Sequence, residues 1–142
     1  MRRAPRSSAF TLILGALVVT SPVHAAAPYP GFYTPSKNIS CAYNPPFGRY
    51  SGTIRCDIFS GLVPEPRGAC DVDWTGLSLS PVGRGQPVCA GDTVADRRLR
   101  VLAYGSRWRH RGFTCLSRRV GVTCRNTRGH GFFLSRAAWR VY

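Results

Sequence analysis

Six cysteines set the frame of this chain, and two of them are close enough in sequence to dictate local geometry. Cys115 and Cys124 sit on two short runs, Gly112 to Ser117 and Val122 to Asn126, with Arg118-Arg119-Val120-Gly121 between them. A hairpin loop over those residues, ending in a glycine that tolerates positive φ, makes Ser117 face Val122. In that register Cys115 lies directly opposite Cys124, and facing Cβ atoms of an antiparallel pair are within disulfide reach. The hairpin is expected to be stapled shut.

The other cysteines extend the same frame. Ile39 to Tyr43 and Gly52 to Ile58 read as strands around a Pro45-Pro46 loop, so Cys41 and Cys56 occupy facing strands. Gly52-Thr53-Ile54-Arg55-Cys56-Asp57 and Gly121-Val122-Thr123-Cys124-Arg125-Asn126 form a weak internal echo of two stapled hairpins. Cys70 and Cys89 are left to pair, which gives one frame among the fifteen that six cysteines allow. A zinc reading fails on spacing: no two cysteines make a Cys-x-x-Cys pair, and His110 and His130 stand apart from them. An even set of cysteines fits an oxidised, exported domain.

The N-terminus points to the same compartment. Arg2, Arg3 and Arg6 precede an apolar run from Phe10 to Val19, and Val23-His24-Ala25 follows. This is the pattern of a secretory signal peptide, residues 1–25, and the run falls short of the roughly 20 residues that a bilayer span needs. Residues 26–142 are then expected to form a single secreted domain, extracellular or attached to the cell wall, with no transmembrane span after cleavage.

No stretch sustains a helical period, so the fold class reads as mainly β: a small disulfide-stapled domain of antiparallel hairpins. Asp73 to Leu79 and Leu99 to Tyr104 are further strand candidates, and Ala26 to Thr34 an extended lead-in. After a turn at Thr127-Arg128-Gly129, His130 to Leu134 gives a strand with Phe132 and Leu134 on one face. Ser135 is placed to cap one short C-terminal helical turn over Arg136 to Arg140.

Charge is distributed unevenly. The acids Asp57, Glu65, Asp71, Asp73, Asp92 and Asp96 all lie at or before Asp96, whereas twelve arginines lie between Arg97 and Arg140. A cationic second half needs an anionic neighbourhood. Arg107-Trp108-Arg109-His110-Arg111-Gly112-Phe113, together with Trp139-Arg140-Val141-Tyr142, interleaves guanidinium groups with rings, a pattern that binds anionic polymers through charge and stacking. The competing account is alternation, with Trp108 and Phe113 turned to the core and the arginines to solvent. The candidate binding residues are Arg107, Trp108, Arg109, Arg111, Arg118, Arg119 and His130. Outside a membrane the available anions are wall polymers, acidic proteins and lipid head groups rather than nucleic acid.

His130, between Gly129 and Gly131, is the one residue that suggests catalysis, as a general base. No nucleophile elbow or second fixed catalytic group accompanies it, so no catalytic residue, metal or cofactor is assigned. Asp92 alone is no calcium site, since calcium wants six or more oxygens.

Ser36-Lys37-Asn38-Ile39-Ser40-Cys41, Arg55-Cys56-Asp57-Ile58, Gly121-Val122-Thr123-Cys124-Arg125-Asn126 and Gly129-His130-Gly131-Phe132-Phe133-Leu134-Ser135-Arg136 resemble a family of small exported bacterial domains of unknown function. The resemblance runs from about Gly31 to Tyr142 and implies export and a shared fold, with no activity attached. Lys37 stands where such relatives carry glycine, which argues against a strict need for positive φ in that turn.

The resulting expectation is a cationic, disulfide-bonded binding module that contacts an anionic envelope component. The alternatives are an envelope hydrolase using His130, or an inhibitor of a foreign enzyme whose stapled loop Arg118 to Gly121 plugs an active site.

Overall fold

The hairpin carrying Cys115 and Cys124 forms in the register its spacing demands. In a computed structural model that describes residues 29–142, Ser117 faces Val122 and Cys115 faces Cys124 with Cα atoms 4.0 Å apart. Its loop is tighter than the sequence implies, because Arg118 still pairs with Gly121. The predicted leader, residues 1–25, lies outside the described residues.

The strands in chain order are β1 (Gly31–Tyr33), β2 (Ile39–Asn44), β3 (Thr53–Ile58), β4 (Asp73–Leu79), β5 (Gln86–Ala90), β6 (Arg100–Val101), β7 (Arg107–His110), β8 (Phe113–Arg118), β9 (Gly121–Arg125), β10 (Gly131–Leu134) and β11 (Trp139–Val141). Among the described residues there is no helix. One sheet has the order β5-β4-β3-β2-β1-β6 and the other β11-β10-β9-β8-β7. All pairings are antiparallel except that of β1 with β6.

All three disulfides pair as the spacing suggests: Cys41 with Cys56, Cys70 with Cys89 and Cys115 with Cys124. The two stapled hairpins, β2–β3 and β8–β9, meet across the core, with Cys56 Sγ 3.9 Å from Cys124 Sγ. Around this contact period-two alternation buries Phe32, Ile54, Leu77 and Leu79 of the first sheet against Trp108, Phe113, Val122, Phe132 and Leu134 of the second. Cys41, Cys56 and Cys124 also form the one candidate metal cluster among the described residues, but each of these sulfurs is bonded within a disulfide.

Four features differ from expectation. The C-terminal helical turn does not form. Ser135 does bond the backbone three residues on, its Oγ accepting from Ala138 N at 3.0 Å, yet the turn it closes sends Trp139–Val141 back along β10 as a strand. Ladder pairing with β10 supplies hydrogen bonds that a single isolated helical turn could not. Leu99 to Tyr104 shortens to β6, because Leu99 and Leu102 are both buried and the chain turns at Asp96–Leu99 and at Ala103–Ser106. β5 escapes the sequence reading because Pro87 and a bulge at Trp74/Gly76 blur its alternation. Finally, Lys37 keeps a positive φ of 60°, so the turn retains the left-handed residue even without glycine; its ammonium lies 4.8 Å from the centre of the Tyr33 ring.

The two outer faces differ. On the first sheet the outward residues Ser40, Ala42, Arg55 and Asp57 are themselves buried. The segment carrying Asp92 and Val94 crosses them, with Arg55 donating to Asp92 Oδ1 at 2.8 Å and Val94 N donating to Asp57 Oδ2 at 2.9 Å. The second sheet keeps its outer face open. That asymmetry locates the candidate site.

Candidate anion-binding face

Two rows of side chains on the open face follow from strand register. Because Cys115 and Cys124 point inward, their neighbours Thr114, Leu116, Thr123 and Arg125 point outward. One row runs Arg107, Leu116, Thr123, Phe133, Arg140 across β7, β8, β9, β10 and β11. The next runs Arg109, Thr114, Arg125 and Gly131, and Arg118 stands one further step along β8. Arg107, Arg109, Arg118, Arg125 and Arg140 are all exposed, and the face holds no acidic side chain among the described residues.

Two of these guanidinium groups are held over rings. Arg140 lies 5.4 Å from the centre of Phe133, and Arg125 lies 5.4 Å from that of Tyr142 while donating from Nε to the phenol oxygen at 3.2 Å. Such contacts restrain a long side chain for about 0.5–1 kcal/mol at exposed sites and leave its other N–H groups free to bind. Gly131 makes room for this arrangement, since a Cβ there would come within 3.0 Å of the Tyr142 ring.

The residues singled out in the sequence scatter over this sheet. Arg107 and Arg109 lie on the open face, as alternation requires. Trp108 does not: it is 4% exposed, packed 5.7 Å from Phe32 in the core, so its ring is withdrawn from any surface contact. Arg111 sits at the β7–β8 turn and Arg118 and Arg119 at the opposite end of β8, where Arg119 stacks over Tyr104 at 5.2 Å. His130 lies in the β9–β10 turn. There Asn126, 7% exposed, holds the backbone: its Oδ1 accepts from Arg128 N and His130 N, and its Nδ2 donates to Ser80 O and Gly83 O. Among the described residues no hydrogen bond reaches the His130 ring.

The sequence reading leaves Arg125 and Phe133 out of the face altogether, and it puts Arg140 and Tyr142 in the arginine–aromatic interleaving without counting them among the candidate binding residues. The signal for Arg125 was present, because the Cys115–Cys124 register places it outward. Arg140 and Tyr142 were hidden by the helical reading of the C-terminus.

Elsewhere the charge reverses. A cavity of about 460 Å3 gathers Asp57, Glu65 and Asp73 around Trp74 and includes no basic residue. Arg55 is the buried counterweight: burial opposes its charge, but hydrogen bonds to Asp57 and Asp92 outweigh that and raise its pKa further. The same pairing holds the Asp92 carboxyl below its ordinary range.

The chain matches the family of unknown function DUF6636 over residues 12–142, and it belongs to that family. No curated protein matches it. No solved structure matches it. Among the described residues no helix is long and apolar enough to cross a membrane, and the three disulfides accord with an oxidising compartment.

Proposed function

We propose that this DUF6636 member is a secreted, cationic binding module that contacts an anionic envelope polymer through the open face of its five-stranded sheet. The observation that carries the reading is the face itself: five exposed arginines on one side of one sheet, two of them braced on rings, with no acidic side chain among them in the described residues. Neighbouring strands lie about 4.8 Å apart and successive outward residues along one strand about 6.8 Å apart, so a linear polyanion laid across the sheet meets several guanidinium groups at once. Its affinity comes largely from release of condensed counterions and therefore falls with salt. Phe133, Leu116 and Tyr142 supply apolar area between the charges.

The test is co-sedimentation of the oxidised protein with an anionic wall polymer over a range of salt concentrations. Replacing Arg107, Arg109 and Arg125 with glutamine should weaken adsorption strongly and lower the log–log salt slope by roughly two to three, near one for each phosphate left without its arginine. Adsorption by that variant indistinguishable from the parent would remove this face from the function. The hydrolase reading has less support, because among the described residues no hydrogen bond orients the His130 imidazole. The inhibitor reading rests on the Arg119-Val120 tip, where Val120 is 69% exposed.

A further inference from the structure

Three turns from three different hairpins meet at one end of the molecule and enclose a cavity of about 280 Å3. The β8–β9 turn brings Arg118 and Arg119, the β10–β11 turn brings Arg136, and the β1–β2 turn brings Ser36 and Asn38. Tyr104 forms a further part of the wall and carries the stacked guanidinium of Arg119. No carboxylate lines the cavity. Arg55 and Arg98 have acidic partners, but among the described residues none pairs with Arg118, Arg119 or Arg136.

Three positive groups around one hollow repel each other, and the described residues that line it supply no counter-charge. An anion with several acceptor oxygens would relieve that repulsion. The planar fork of arginine matches a phosphoryl group with two parallel hydrogen bonds, and hydroxyl and amide groups complete the polar lining. The volume is slightly below that of ordinary small-molecule sites. It suits a phosphate with a glycerol or single sugar attached, not a longer segment.

We propose that this cavity is a phosphoryl-binding pocket that accepts a phosphate ester. Its position suggests the source of the ester. Arg118 stands both on the pocket wall and on the open sheet face, so an anionic chain lying across the sheet could place a phosphorylated end in the cavity. Only that choice of source rests on the function proposed above; the affinity for phosphate ester stands independently.

The experiment follows backbone amides by NMR while glycerol phosphate is added at constant ionic strength, with chloride as the control. Saturable shifts are expected at Arg119, Val120, Gly121, Arg136 and Ala137, but not at Arg107 or Arg109. An Arg119→Gln/Arg136→Gln variant should retain the parental spectrum away from the pocket and lose at least ten-fold in ester affinity. Shifts no larger than those caused by chloride, or ester affinity unchanged in that variant, would overturn the proposal. An Arg107→Gln/Arg109→Gln variant separates the two sites: it should keep ester binding while polymer adsorption weakens. If the parent binds ester but no polymer, the sheet-face reading fails and the pocket survives. Vesicles containing phosphatidic acid then identify the source. Sedimentation with them that depends on Arg119 and Arg136 assigns a lipid head group, and its absence assigns a soluble or polymer-borne ester.

Discussion

Arg111 occupies a backbone conformation that side chains usually avoid. With φ at 48°, followed by Gly112 at 86°, it is the first residue of a two-residue loop between the facing pair His110 and Phe113. Both loop residues of such a hairpin need positive φ, which is why Asn-Gly is preferred there. An Arg111→Asn substitution should therefore stabilise the protein by about 0.5–1 kcal/mol, seen as a rise in melting temperature of a few degrees. A lower melting temperature would mean that the arginine side chain holds the turn in some way that outweighs its backbone cost. In the local sequence Arg107 to Phe113 only Gly112 hints at this loop, because arginine carries no turn signal. The sequence offers two readings of Trp108, a binding ring or a core residue in alternation with its arginine neighbours, and burial in the fold decides for the core while Arg107 and Arg109 stay outside.

At the scale of the element, the stapled hairpin is the unit that organises the fold. The Cys115–Cys124 bond closes a sequence separation of 9 residues, and both half-cystines are fully buried. Chain entropy alone assigns such a loop about 2.5–3 kcal/mol. Replacing both cysteines with serine also buries two hydroxyls beside the Cys41–Cys56 bond, so urea unfolding should show a loss of at least that size. A loss well below 2 kcal/mol would show that the β8–β9 pairing is already formed in the unfolded ensemble. This hairpin could be read from spacing because its partners are near in sequence and each points where a period of two sends it. The C-terminal strand could not: Ser135 makes the same side-chain bond to the backbone in a helix cap as in the turn it actually closes, and only the waiting edge of β10 decides between them.

At the scale of the whole molecule, charge is sorted by sheet. The first sheet buries Arg55 and neutralises it with Asp57 and Asp92, while the second exposes arginines that face no acid. The Arg55–Asp92 pair also ties the segment after β5 to the sheet it covers. Since Arg55 lowers the Asp92 pKa, the contribution of this pair is complete above the ordinary carboxylate range near pH 4. It declines as pH falls through the depressed value. An Asp92→Asn protein should thus be less stable than its parent at neutral pH, and the difference should close as the solution is acidified below about pH 4. A gap that stays constant with pH, measured by urea titration, would show that the Asp92 charge does not hold this segment in place.

Several properties were determined by sequence alone: the oxidised frame, the mainly β fold, the inward and outward sides of the Cys115–Cys124 hairpin, and the cationic character of the second half. Each depends on neighbours within a few residues, on period-two alternation or on a simple count. Tertiary structure decided that the two disulfide hairpins pack sulfur against sulfur from positions 68 residues apart, that one sheet is covered while the other stays open, and that three separate turns enclose one cationic cavity. Those outcomes depend on which faces bury each other, and burial is settled by contacts between distant segments that no local pattern specifies.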